Sequence, residues 1–170
     1  ILSTLIAILA TIASAGGLLL DGLYRDNAFV TTTWLGNDAI TLFLAVPILI
    51  AAMIVSNRGS LKAQLIWMGA LDYMLYNYAF YLFGAAFNWF FLLYATLLAL
   101  SIFALIFGLI KLDVNGISQQ FRKDAPVKWI GGYFIFVASG LGLVYLIQSI
   151  GFIATDNVPA IVTMSGHPTN

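Results

Sequence analysis

Asp72, Tyr73, Tyr76, Asn77 and Tyr81 bring a carboxyl group, three phenols and an amide into one apolar stretch, Leu61 to Phe83 (LKAQLIWMGALDYMLYNYAFYLF). At about 1.5 Å per residue a helix of this length crosses the ~30 Å hydrocarbon core of a bilayer and sets Asp72 near its midpoint. An aspartate there costs roughly 2.5–3.5 kcal/mol even on the scale of cellular membrane insertion, so it needs a partner or a purpose. Steps of about 100° put Asp72, Tyr76, Gly69, Phe80, Tyr73, Asn77 and Tyr81 on one half of the helix. Leu71, Leu75, Tyr78 and Leu82 fall opposite. The polar, aromatic half is expected to face a protein interior and the other half lipid or a further helix.

Two kinds of chemistry fit that constellation. A protonated Asp72 can donate to a carbonyl or a tyrosine and act as a hydrogen-bonding hub between helices; an ionised one needs a cation and suits a proton or ion relay. Tyrosines at this density serve equally as packing groups and as a ligand cage.

Composition sets the context. Hydrophobic residues make up 62% of the 170 and charged residues 8%, against norms of roughly 45–50% and 25% for soluble domains, so the chain is expected to be an integral membrane protein. Seven bases balance seven acids and no glutamate occurs. No charge excess invites nucleic acid, and the expected partners are the bilayer and other transmembrane helices or subunits. Cysteine is absent, which removes disulfides, iron–sulfur clusters and cysteine nucleophiles. The one histidine, His167, lies in the polar final stretch SGHPTN. No histidine or lysine therefore sits at membrane depth to ligate haem or chlorophyll or to form a retinal Schiff base, and neither a cofactor nor a metal is expected. HExxH, GxSxG and GxxxxGK[ST] motifs are missing, and no second acid stands at membrane depth beside Asp72. Catalytic residues are accordingly expected to be none.

The elements that position Asp72 follow from hydropathy. The expected architecture is an all-α, five-span transmembrane bundle forming a single domain over 1–170, with spans near 1–20, 38–55, 61–83, 88–110 and 129–153. The residues of Ile1 to Leu20 include small ones at four-residue spacing, Ala7, Thr11 and Ala15 on one row and Ala13 and Gly17 on another, which allow close helix approach. The 21–37 segment (DGLYRDNAFVTTTWLGN) reads as an outer loop, with Tyr24, Phe29 and Trp34 at headgroup level or contacting a ligand. Asn37 or Asp38 then caps the second span, which Pro47 should kink. The turns SNRGS and GAAF flank the Asp72 helix, so the third and fourth spans should pack as an antiparallel hairpin. In the inner loop 111–128, Val114, Ile117 and Phe121 recur on one face, as in a short helix lying on the membrane surface.

Arg58 and Lys62 lie in one connection, and Lys111, Arg122, Lys123 and Lys128 in another that five alternating spans place on the same side. The 21–38 segment has only Arg25 against three aspartates. The basic side should be cytoplasmic, with the amino end inside. The run LDYMLYNYAFYLFGAAFNWFFLLY (Leu71 to Tyr94) resembles a group of uncharacterised multi-pass prokaryotic membrane proteins. The resemblance implies an inner-membrane location and no particular activity. Ile1 is not a methionine and the final stretch is polar, as expected of the front part of a longer chain. Two functions fit: a non-catalytic accessory subunit or binding module of a membrane assembly, or a small transporter or proton- or ion-translocating unit built on Asp72.

Overall fold

The computed structural model describes residues 1–120 and 126–165. Phe121, Arg122, Lys123 and His167 lie outside them. Every regular element among the described residues is helical. They form α1 (Leu2–Leu19), α2 (Ala28–Ile40), a π-helical turn (Thr41–Ala45), α3 (Val46–Ser56), α4 (Leu61–Gly84), α5 (Phe91–Ile110), α6 (Val114–Gln120), α7 (Val127–Thr155) and α8 (Ala160–Ser165). Four helical segments are long and apolar enough to cross a membrane: Leu2–Leu19, the continuous Ala28–Ser56, Phe91–Ile110 and Val127–Thr155. The α4 helix, with Lys62, Gln64, Asp72 and Asn77 among its residues, is not one of them.

The second helix corrects the expected loop over 21–37. It begins at Ala28, not at Asp38, because Asn27 rather than Asn37 or Asp38 is the cap, its side chain accepting from the Val30 amide at 3.0 Å. Three consecutive threonines do not interrupt the helix, since each hydroxyl donates back to a carbonyl: Thr31 to Asp26, Thr32 to Ala28 and Thr33 to Phe29. Pro47 acts one turn later. It lacks an amide to give and its ring crowds the preceding turn, and the helix answers by widening: the Val46 amide reaches back five residues to the Thr41 carbonyl.

Chain contacts divide the protein into two compact units, Ile1–Ile117 and Ser118–Asn170, where the sequence suggests one bundle. In the first unit α1 packs against α2, the π turn, α3 and α5, and α4 packs against α3 and α5. The face of α1 that packs carries Ser3, Ile6, Ala7, Ala10, Ala13, Ser14 and Gly17. Of the two expected small-residue rows, Ala13 and Gly17 are thus both buried, whereas in the other only Ala7 is, Thr11 being exposed and Ala15 half-buried. The connections at the two ends of α4 are both short. Gly59 turns the chain at φ +87 before Ser60 caps α4, a left-handed angle that a side chain would strain. Asn88 accepts from the Phe90 amide at 2.9 Å at the entrance to α5.

In the second unit the long α7 buries none of its residues, and its Gly131, Gly132, Gly140 and Gly142 all face open space. The short α6 begins within the first unit, opened by Asp113, whose side chain accepts from the Gly116 amide at 2.9 Å.

Candidate functional site

The first unit concentrates its buried polar groups around Asp38, which is 3% exposed. Asp38 stands on the inner face of α2, one turn beyond the buried Trp34 and one before the buried Thr41. The phenol of Tyr24, from the α1–α2 connection, donates to Asp38 Oδ2. Tyr81, from α4, sets its hydroxyl 3.0 Å from Asp38 Oδ1 and 3.0 Å from the Trp34 carbonyl. Gly17 of α1 makes the approach possible, because a Cβ there would run into the Asp38 carboxyl and the Tyr24 hydroxyl. Burial, reinforced by Tyr81 and by the bond to Asp38, raises the pKa of the Tyr24 phenol above its ordinary value. Tyr24 therefore stays protonated and acts as a donor.

Aromatic rings close around the carboxyl. Trp34 packs on Tyr81 with centroids 4.7 Å apart, Tyr81 on Tyr94 at 5.0 Å, and Tyr78 on Tyr94 at 6.2 Å. A turn deeper, Thr41 lies 2.8 Å from the Tyr73 hydroxyl and accepts from Asn77 Nδ2 at 3.4 Å. The widened turn thus presents a buried hydroxyl to α4. On the other side of Trp34, Asp26 accepts from the indole at 3.1 Å and from the Ala86 amide at 3.1 and 3.2 Å. One carboxylate ties the α1–α2 connection to the α4–α5 turn.

The expected constellation on α4 is therefore divided between two faces. Tyr73, Asn77 and Tyr81 point inward and join Thr41 and Asp38. Asp72 and Tyr76 do not: both are exposed, Tyr76 at 66%, and among the described residues Asp72 makes neither a hydrogen bond nor an ion pair. The phase of the helix explains this correction. Leu71, Met74, Tyr78 and Tyr81 form the stripe buried against α3 and α5, and Asp72 and Tyr76 lie on the opposite side of that stripe. Tyr78, which the sequence places on the half facing lipid or a further helix, is 1% exposed. Among the expected outer-loop contacts, Phe29 is exposed, whereas Tyr24 and Trp34 are buried inside the bundle.

Sequence reasoning missed Asp38, Asp26, Ser14, Thr41, Tyr78 and Tyr94 as members of one layer. Asp38 was hidden by its resemblance to a helix cap. A signal was nonetheless present, because Trp34, Asp38, Thr41 and Ala45 follow helical spacing across a boundary that hydropathy placed between them.

Among the described residues no three His, Cys, Asp or Glu side chains converge to hold a metal. The layer can accept and donate hydrogen bonds and can take up a proton. It has no activated nucleophile. Comparison of the chain with protein-family models, with curated proteins and with solved structures finds no match in any of the three.

Proposed function

We propose that the protein is a non-catalytic, multi-pass membrane subunit that binds another transmembrane helix through the outward face of α4. The observation that carries this is the exposure of Asp72 halfway along a 24-residue helix held between α3 and α5. With both neighbours of α4 apolar enough to cross a membrane, α4 spans as well, bringing the spans to five. An aspartate on a lipid-facing surface is too unfavourable to be left there, so a partner covers it. The same face provides Gly69, where nothing lies within 4 Å of an added Cβ, and Tyr76 stacked on Phe80 at 6.2 Å. A glycine notch, a carboxyl and an aromatic ridge in line suit a helix that brings a hydrogen-bond donor or a cation opposite Asp72.

The rival reading, a transporter or ion-translocating unit built on Asp72, would require that residue to line an interior path, and its outward position supports the docking reading instead. Ser56, Asn57, the amino end and Lys111 line a common groove at one end of the first unit. Lys111, with Arg58 next in sequence to Asn57 and Lys62 in the first turn of α4, supports placing that end in the cytoplasm of a prokaryotic inner membrane.

A photo-crosslinking residue at Tyr76, activated in native membranes, tests the docking. The expected product is an adduct heavier than the chain, formed also in a crude membrane fraction and lost in Asp72→Leu, whose own fold is retained. Adducts to lipid alone, or crosslinks only within one chain, would refute the reading.

A further inference from the structure

Four side-chain oxygens in the first unit, on Ser14, Tyr78, Tyr94 and Ser101, are buried and make no hydrogen bond within the protein. Folded proteins pair such groups almost without exception, with protein atoms or with something held between them. Three of the four surround Asp38. Ser14, at 1% exposure, lies beside both the Asp38 carboxyl and the Tyr78 hydroxyl. Tyr94, at 2%, lies beside Tyr24 and Asn88. These oxygens lie near one another and near Asp38 without reaching bonding geometry.

Among the described residues no base balances that carboxyl. The titratable groups facing Asp38 are Tyr24 from the α1–α2 connection, Tyr78 and Tyr81 from α4, and Tyr94 from α5. The face of α1 against it offers only Ser14 and Gly17. The other acid nearby, Asp26, is occupied by Trp34 and the Ala86 amide. A buried carboxyl ringed by hydroxyl oxygens and lacking a counter-charge is a cation site in its chemistry. All-oxygen donors suit hard cations and disfavour soft transition metals.

We propose that Asp38, with the hydroxyls of Ser14, Tyr78 and Tyr94, binds a small monovalent cation, either a proton on the carboxyl or a sodium ion held between the oxygens. The site is independent of the docking face on α4, and either can fail without the other. Because Trp34 packs on Tyr81, tryptophan fluorescence of the purified chain in detergent reports on it. Fluorescence and Tm are followed as sodium chloride replaces choline chloride at constant ionic strength, and separately across a pH series in choline alone. A saturable response to sodium identifies sodium as the ligand, and a response to pH alone identifies a proton. Either supports the proposal provided that Asp38→Asn abolishes it while keeping the helical circular dichroism. Ser14→Ala should fold normally and shift the midpoint. The proposal is overturned if the wild type responds to neither cation, or if Asp38→Asn responds as the wild type does. Should Asp38→Asn fail to fold, an unchanged midpoint in Ser14→Ala overturns it equally.

Discussion

Replacing Gly17 by alanine separates two opposed effects. In a helix interior the exchange is ordinarily favourable by about 0.8–1 kcal/mol, because alanine loses less backbone freedom. At Gly17 the new methyl would lie 2.5 Å from the Tyr24 hydroxyl and 2.7 Å from Asp38 Cγ. Neither group can withdraw freely, since each is held in the bond that Tyr24 donates to Asp38. Overpacking costs about 1–3 kcal/mol, and disturbing a buried hydrogen bond to a carboxylate about 1.5–3 kcal/mol more. Subtracting the propensity gain leaves a net destabilisation of about 1.5–5 kcal/mol. Gly69→Ala and Gly36→Ala provide the control, for nothing lies within 4 Å of a Cβ at either position. Both should be neutral or stabilising by up to about 1 kcal/mol. Denaturant unfolding in micelles, followed by circular dichroism, measures all three. If Gly17→Ala proved as stable as Gly69→Ala, the close approach of α1 to Asp38 would be wrong.

Asp26→Ala should lower stability by about 2–4 kcal/mol, because it strands the Trp34 indole and the Ala86 amide together, and protease should then cut more readily within 84–90. Thr41→Val keeps the shape but leaves the Tyr73 hydroxyl and Asn77 without their partner, a loss of about 1–2 kcal/mol in the same unfolding assay; an unchanged midpoint would mean the widened turn does not use that hydroxyl. Tyr24 predicts a pH dependence. Its folded pKa is raised by burial above the ordinary 10.0, so its stabilising contribution is complete below pH 10.0 and declines above it, where the unfolded chain ionises and the folded one does not. Helical circular dichroism against pH should show this alkaline loss, with a shallower slope in Tyr24→Phe.

Much of the architecture could be read directly, and the failures have specific physical causes. Uninterrupted apolar runs locate α1, α5 and α7 to within a few residues, because length and hydropathy alone define such helices. The hairpin of α4 and α5 followed from the brevity of GAAF. The 21–37 segment misled because threonine, asparagine and aspartate are polar by composition, yet here their side chains bond to the helix's own carbonyls or face inward. On α4 the difficulty was deeper. Its apolar and polar residues are distributed around the whole circumference, with Tyr76 outward and Tyr78 and Tyr81 inward, so the contrast that usually fixes a helix's orientation is absent. Only the partners decide: α2 and the π turn bring Asp38 and Thr41 to one side, and a helix read as starting at Asn37 or Asp38 makes Asp38 a cap at its end instead of a buried residue within it.

The Asp26 clip has a consequence for the way the chain is made. Its acceptor oxygens wait for an amide 60 residues further along, and Asp38 waits for the Tyr81 hydroxyl 43 residues away. At synthesis rates of about 5–20 residues per second, those intervals last roughly 2–12 s. Throughout that time α1 and α2 exist as a pair whose two acids each lack a donor, with only the Trp34 indole for Asp26 and the Tyr24 hydroxyl for Asp38 already supplied. The pair is thus provisional until the α4–α5 turn arrives, and a ribosome stalled within α4 would leave it as an unlatched intermediate for quality control to recognise.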